Sequence, residues 1–264
     1  METLNFSFYD LLLLYILLLI PWLISYYLKL GIIRDSIVSI ARMTLQLLLV
    51  GLYLSIIFKL NSFWLNLAWV TAMLITANIT TLRRSNLAMR FTFLVTFAAT
   101  AVGFTSILIF FVAVVIRPVP VFDARYIIPI AGMLLGNCLR GNVIALERFY
   151  SGINEHEKEY VTYVLLGANV AEATRPYLRL AIRAAISPHI ATMATLGIVA
   201  LPGMMTGQIL GGAMPNVAIK YQIAIMICIF CSMLISSVLN IYFTRRYAFD
   251  DYGMLRREIF HKSN

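Results

Sequence analysis

Polar side chains within long apolar stretches are the residues of this sequence with the clearest chemical potential. Gln46, Asn137 and Gln208 each lie well inside such a stretch, where polar groups are costly to bury. Because their amides can coordinate or hydrogen-bond a solute, we predict that they line a transport path.

Three methionines stand beside two of these amides: Met133 near Asn137, and Met204 and Met205 near Gln208. Thioether sulfurs favour soft metal ions such as Cu(I), whereas imidazole and carboxylate groups suit iron. Methionine is also an adaptable packing residue in apolar helices. The pattern therefore leaves both a metal path and ordinary packing open.

Residues typical of enzymes are not arranged for catalysis. The sequence has no G-x-x-x-x-G-K-[ST] segment to hold nucleotide phosphates. No apolar stretch carries two acidic residues, and His156, His189 and His261 are too dispersed to ligate a haem or form a facial triad. We predict no catalytic residue and no cofactor bound by this chain, and the metal, if any, stays unidentified.

The elements that must position these residues follow from composition. Only 12% of the 264 residues are charged, 61% are hydrophobic, and the mean hydropathy is +0.86, whereas soluble domains carry about 25% charged residues. A polytopic membrane protein is therefore expected. The net charge of +9 fits basic cytoplasmic loops and not nucleic-acid binding, since no basic stretch is interleaved with stacking aromatics.

The apolar stretches predict an all-α chain with about seven transmembrane helices, each close to the 20 residues that a span needs. The whole chain, 1–264, forms one transmembrane domain in this prediction. The predicted spans are 8–28, 36–58, 63–82, 91–116, 127–147, 190–212 and 217–243. The first is interpreted as a span and not a signal peptide, because Glu2 precedes it and no lysine or arginine does.

The loop charges predict the orientation. With the N-terminus outside and the C-terminus in the cytoplasm, most lysines and arginines fall on the cytoplasmic side, as the positive-inside rule requires. The outer loops then receive only Lys59, Arg117, Arg125 and Lys220.

One long cytoplasmic segment, 148–189, separates the fifth and sixth predicted spans. Within it, residues 160–186 show apolar and basic stripes at four-residue steps, the latter formed by Arg175, Arg179 and Arg183. This pattern predicts an amphipathic helix that lies on a membrane surface or against a partner. Pro188 is expected to mark the turn into the next span.

Glycines recur at four-residue steps in two predicted spans, at positions Gly132, Gly136, Gly203, Gly207 and Gly211. Such strips allow close helix packing. Prolines in the same segments favour broken helices, and broken, glycine-rich spans are where transporters build substrate paths. Ordinary tight packing remains the alternative.

Five motifs in a fixed order carry a family resemblance. They are Pro129-Ile-Ala-Gly-Met-x-x-Gly-Asn137, Leu166-Gly-Ala168, Arg179-x-x-x-Arg-Ala-Ala185, Leu201-Pro-Gly-Met-Met-Thr-Gly207 and Ala218-Ile-Lys-Tyr-Gln-Ile223. Over about residues 31–242 the chain resembles the Fet-type permeases, which are ABC transporter membrane subunits assigned to iron export in bacteria. It also resembles plant aluminium-tolerance permeases.

The resemblance implies a permease in the bacterial inner membrane that exports iron. A separate cytoplasmic ATPase would bind ATP and Mg²⁺, and two permeases would pair with two ATPases. Leu166, Gly167 and Ala168 resemble the coupling motif that docks in the ATPase, and Arg179 and Arg183 match the family pattern.

Two alternatives stay open. Relatives of the aluminium-tolerance group are associated with UDP-glucose export, which would require a cationic pocket, and the spans offer only Arg42 and Arg140 for it. A non-transporting membrane scaffold would use the glycine strips for assembly only.

Overall fold

A computed structural model describes residues 8–260, and within that part of the chain every regular element is a helix. The all-α class is therefore confirmed. A π-helical segment, Phe111–Ile116, extends the helix Met89–Phe110, and a 3-10 turn, Arg257–Ile259, follows the last α-helix. The helices are α1 (Phe8–Ile16), α2 (Leu19–Tyr27), α3 (Ile33–Leu60), α4 (Phe63–Arg84), α5 (Met89–Phe110), α6 (Ala124–Glu155), α7 (Glu157–Leu165), α8 (Val170–Ala173), α9 (Arg175–Thr195), α10 (Gly203–Leu210) and α11 (Pro215–Ala248).

Five of the described helical segments are long and apolar enough to cross a membrane. They are Ile33–Leu60, Phe63–Arg84, Met89–Ile116, Ala124–Glu155 and Pro215–Ala248. Each contains one of the predicted spans. The first predicted span, 8–28, is instead divided between α1 and α2 by a turn at residues 17–18.

No continuous helix covers the predicted sixth span, 190–212, so this span stays a prediction, although the break that its proline favoured is present. α9 passes through Pro188 and ends at Thr195, and the backbone is not helical over 196–202. Gly197 adopts a left-handed φ of +84°, and Pro202 directly precedes the eight-residue α10. A hydropathy pattern registers the apolar side chains but not these two backbone breaks.

The single amphipathic helix predicted over 160–186 is corrected as well, because the segment forms three helices. α7 ends before Gly167, whose φ is +93°, and Asn169 starts α8 with a reciprocal capping box to Glu172. Glycine at a helix end and asparagine at a helix start are ordinary stop and start signals. They end the helix ahead of α9, which carries the whole basic stripe of Arg175, Arg179 and Arg183.

The centre of the bundle is formed by α5, α6 and α11, and two glycines permit their close approach. A Cβ atom on Gly103 of α5 would lie 2.7 Å from the backbone nitrogen of Ser236 in α11. A Cβ atom on Gly141 of α6 would lie 2.5 Å from the Cγ atom of Met233. Larger residues would therefore push these helices apart.

α6 joins two hydrophobic clusters. Its first half packs in one cluster around Leu134, and its second half packs in another around Phe149 and Tyr150. With 32 residues it is about 48 Å long at 1.5 Å per residue, which exceeds the roughly 30 Å hydrocarbon layer of a bilayer. The helix therefore extends beyond the apolar layer.

α3 lies at the edge of the bundle and is largely uncovered within one chain. Only 6% of its most apolar window is buried. Its packing onto the remainder of the molecule is centred on Ile57, which joins Ala124 and Ile128 in a small cluster. Lipid or another subunit must therefore cover most of this helix.

Candidate transport and coupling sites

Gln46 is separated from the other residues predicted to line a path. Its side chain is exposed on α3, the helix that packs on the bundle around Ile57. Within one chain it therefore contributes nothing to a shared polar site.

Met133 and Met204 each pack against the hydrophobic cluster around Leu134, although they are distant in sequence. Asn137 is half-buried, and its amide Nδ2 donates to the carbonyl oxygen of Met133 at 2.8 Å. That donor is thus satisfied within α6. Gln208 differs because its Oε1 is buried with no hydrogen-bond partner among the described residues.

Met205 is buried in the wall of a cavity of about 510 Å³. The cavity lies between the end of α9, the non-helical segment 196–202 and the first turns of α11. Met193, Met226 and Gln222 also line it. These three residues were not predicted, because they lie on elements that only the tertiary fold brings beside Met205.

A buried hydrogen-bond network at the centre of the bundle was also not predicted. Asn142 of α6 donates to Thr100 of α5 at 3.2 Å and to Ser236 of α11 at 2.8 Å. Its Oδ1 accepts from Ser236 and Ser237 at 3.0 and 3.1 Å. All these residues are buried, so the network holds the three helices together and offers no open route for a solute.

The sequence did contain a signal for this network. Hydroxyl residues recur every four positions along α5, at Thr92, Thr96 and Thr100, and all three are buried. On a helix this spacing forms one stripe, which here faces the interior of the bundle.

The predicted glycine strips make few contacts within one chain. Cβ atoms built on Gly136, Gly203 and Gly207 would meet no atom within 4 Å. One on Gly132 would reach Met73 at 3.4 Å, and one on Gly211 would meet only carbonyl oxygens of its own turn. A packing role for these strips between subunits stays a prediction.

The predicted coupling residues form a corner between α7 and α8. The amides of Gly167 and Ala168 donate back to the carbonyls of Val164 and Tyr163, both at 3.0 Å, which is the bonding of a Schellman motif. Leu166, at the end of α7, is 80% exposed, and Leu165 beside it is 81% exposed. The corner thus presents two apolar side chains on a hydrogen-bonded backbone.

Arg179 and Arg183 are exposed on α9, one turn apart. Neither forms an ion pair within the described part of the chain. The opposite face of α9 packs through Tyr177, Ala181 and Ala185 into the cluster that contains the end of α6. The two arginines are therefore available to a partner, while the helix itself is fixed to the bundle.

A site for a hard metal ion is not found in residues 8–260, where no group of three or more His, Cys, Asp or Glu side chains is placed to hold one. His189 is buried inside α9 rather than at a span entrance, and its Nε2 lies 3.2 Å from the carbonyl oxygen of Met226. The histidine thus interacts with the backbone of α11.

Comparison with known proteins identifies the family. Residues 8–249 match the family described as "Uncharacterised protein family (UPF0014)". The chain belongs to the UPF0014 family. None of the solved structures matches it.

Several relatives of this UPF0014 protein are membrane proteins. The UPF0014 membrane protein slr1647 of Synechocystis is 33% identical over 75% of this chain and 76% of its own. The probable iron export permease protein FetB of Escherichia coli is 30% identical over 87% of each chain. Protein ALUMINUM SENSITIVE 3 of Arabidopsis thaliana is 32% identical over 86% of this chain and 82% of its own.

These relatives confirm the resemblance to Fet-type and aluminium-tolerance proteins. They also confirm the prediction that the chain is a membrane protein of a transport family and not an enzyme.

Proposed function

We propose that this UPF0014 protein is the permease subunit of an ATP-driven exporter, and that a separate ATP-binding cassette subunit hydrolyses the ATP with Mg²⁺. The name of the FetB relative supports a permease. The sequence contributes no phosphate-binding loop of its own, so ATP hydrolysis is assigned to a partner.

The observation that carries the proposal is the exposed corner between α7 and α8. Leu165 and Leu166 are adjacent apolar side chains, each about four-fifths exposed, beyond the acidic start of α7 at Glu157 and Glu159. Apolar groups that stay exposed outside the bilayer mark a protein-binding surface. The corner, Leu166, Gly167 and Ala168 included, is proposed to dock in the ATPase.

The packing supplies a route for the coupled motion. Tyr160 of α7 and Tyr177 of α9 share one buried cluster with Phe149 near the end of α6. A push on the corner therefore reaches α6 directly, and α6 continues into the transmembrane bundle. Arg179 and Arg183 are proposed to hold acidic groups of the partner, where guanidinium donors form strong bidentate pairs.

The remaining assignments are proposals of the same kind. Two permeases pair with two ATPases in the bacterial inner membrane, with the N-terminus outside and the C-terminus in the cytoplasm. Iron is the proposed cargo, after the name of FetB. Met133, Asn137, Met204, Met205 and Gln208 line its path, and Gln46 joins them only where a second subunit covers α3.

The two alternatives lack a supporting observation. Nucleotide-sugar export requires cations that converge on a pocket, and Arg42 and Arg140 are exposed on separate helices. A scaffold would not need an exposed docking corner beside a buried cluster that contains the end of α6.

The test is co-purification of the permease with an ATP-binding cassette subunit from the same organism. Leu165→Asp with Leu166→Asp should lower complex recovery and stimulated ATP hydrolysis by at least about 30-fold, since removing a hot spot costs about 2 kcal/mol or more. Val119→Asp is the control, because Val119 is 96% exposed in the loop before α6, at the opposite end of that helix from the corner. Equal recovery of both variants would contradict docking at the corner.

Transport itself is tested in proteoliposomes that contain the complex. Iron export should require ATP, and Asn137→Leu with Gln208→Leu should slow it while complex assembly is unchanged. Undiminished iron export by that variant would remove the proposed path, and a parent complex that exports no iron with ATP would favour a scaffold.

A further inference from the structure

The cavity at the broken segment between α9 and α10 has an unusual concentration of sulfur. Met193 belongs to α9, Met205 to α10 and Met226 to α11, and all three line the same space of about 510 Å³. They come from three different helices, so their convergence is a property of the tertiary structure and not of a methionine-rich sequence.

The rest of the cavity wall contains no charged side chain and one amide. Gln222 is buried, and its Oε1 has no hydrogen-bond partner among the described residues. An unpaired buried acceptor is uncommon in a folded protein. The space therefore offers an incoming ion thioether sulfurs and no charged side chain.

We propose that this cavity binds a soft monovalent metal ion, Cu(I), through the thioethers of Met193, Met205 and Met226. Thioethers are ligands for Cu(I), whereas Mg²⁺, Ca²⁺ and Mn²⁺ prefer carboxylate and carbonyl oxygen. A single positive charge also costs less to desolvate than a double one. The thioether donors and the uncharged wall therefore favour a metal ion that is both soft and singly charged.

The cavity is wider than one ion, and two features allow it to close. Methionine has three rotatable bonds beyond its backbone, so its sulfur can move toward an ion without a change of backbone. The wall formed by residues 196–202 is not helical and exposes Ile198 and Val199 to 90% and 78%. This wall lacks the packing that would resist inward movement.

The proposal concerns binding by the permease alone and does not depend on an ATPase or on the identity of the exported cargo. The test uses the purified full-length permease in detergent and Ag(I), a redox-stable analogue of Cu(I), with bound metal measured after equilibrium dialysis. Cys138, Cys228 and Cys231 are changed to alanine in every sample, because thiolates would bind silver themselves.

The decisive variant replaces Met193, Met205 and Met226 with leucine, which conserves volume and costs less than about 1.5 kcal/mol at each site. The matched control replaces Met73, Met89 and Met233, which are likewise two half-buried residues and one buried residue but lie outside the cavity. We expect the parent and the control to bind one Ag(I) equally, and the cavity variant to bind at least about 100-fold more weakly, in line with the 10–100-fold losses seen for lesser changes at metal sites.

Two results would overturn the proposal. One is equal silver binding by the cavity variant and the parent, and the other is an equal loss in both methionine variants. The single change Met226→Leu, measured in parallel, gives the same comparison should the triple variant fail to elute as a folded protein. Lack of ATP-driven iron transport would leave this result unaffected.

Discussion

Gly103→Ala tests the close backbone approach of α5 to α11. The added methyl carbon would lie 2.7, 2.8 and 3.0 Å from the backbone nitrogen, Cα and Cβ of Ser236. Optimal carbon contacts are about 3.5–4.0 Å, so α5 and α11 must separate locally by about 1 Å. Because the atoms struck belong mainly to the backbone, rotation of a side chain cannot relieve the overlap.

The expected magnitude follows from two opposing terms. Overpacking of a core costs about 1–3 kcal/mol, and a gap of 0.5–1 Å forfeits roughly a quarter to a half of the neighbouring dispersion energy. Alanine regains about 1 kcal/mol of helix propensity over glycine. With overpacking at the upper end of its range, Gly103→Ala should lower stability by about 2 kcal/mol, or roughly 4–8 °C in apparent Tm for a chain of this size.

The assay is thermal unfolding of the purified protein in detergent, followed by gel filtration of heated samples. Gly136→Ala is the matched control, because no atom lies within 4 Å of its added methyl and only the favourable propensity term of up to about 1 kcal/mol remains. Gly141→Ala should fall between the two, since its nearest neighbour is the flexible side chain of Met233. An apparent Tm of Gly103→Ala at or above that of Gly136→Ala would refute the reasoning.

Two further predictions concern hydrogen bonds. Asn142→Leu should lower the apparent Tm far more than Asn137→Leu, because it removes the acceptor of the buried Ser237 hydroxyl, at a cost of about 1–3 kcal/mol, whereas Asn137 bonds only within its own helix. Tyr160, outside the spans, donates to the carbonyl oxygen of Gly253, and burial, helped by a nearby carboxylate, raises its pKa from 10.0 to about 12. The raised pKa means that this stabilisation is complete below pH about 10 and is lost as pH rises toward 12, so Tyr160→Phe should flatten the alkaline decline in apparent Tm. The same decline in both proteins would count against this assignment.

Sequence hydropathy located the five helices that are long and apolar enough to cross a membrane, because the need for a run of apolar residues is local. Hydropathy could not locate the backbone breaks at Gly197 and Gly167, because a run of apolar residues has the same hydropathy whether or not its backbone continues as a helix. Pro188, which suggested a turn, instead lies within α9. The packing of α9 on the bundle outweighs the local preference of this proline to end a helix.

The candidate sites likewise contain some features that local sequence predicted and others that depend on tertiary packing. Leu166, Gly167 and Ala168 were predicted as a coupling segment from a short motif, and their geometry is set by the turn at Gly167 and by the capping box that follows at Asn169. Which glycines meet another helix was not predictable: Gly103 and Gly141 do so within the chain, whereas the regularly spaced Gly203 and Gly207 do not. Such contacts depend on which helix faces oppose each other.

From its own residues the chain thus specified a helical membrane protein, five helices that are long and apolar enough to cross a membrane, and the turn at Gly167. All of these follow from short-range preferences for lipid, water or a helix end. The tertiary structure alone decided that Asn142 would join three helices and that Met193, Met205 and Met226 would share one cavity. Those groupings join residues far apart in sequence, and the packing of whole helices brings them together.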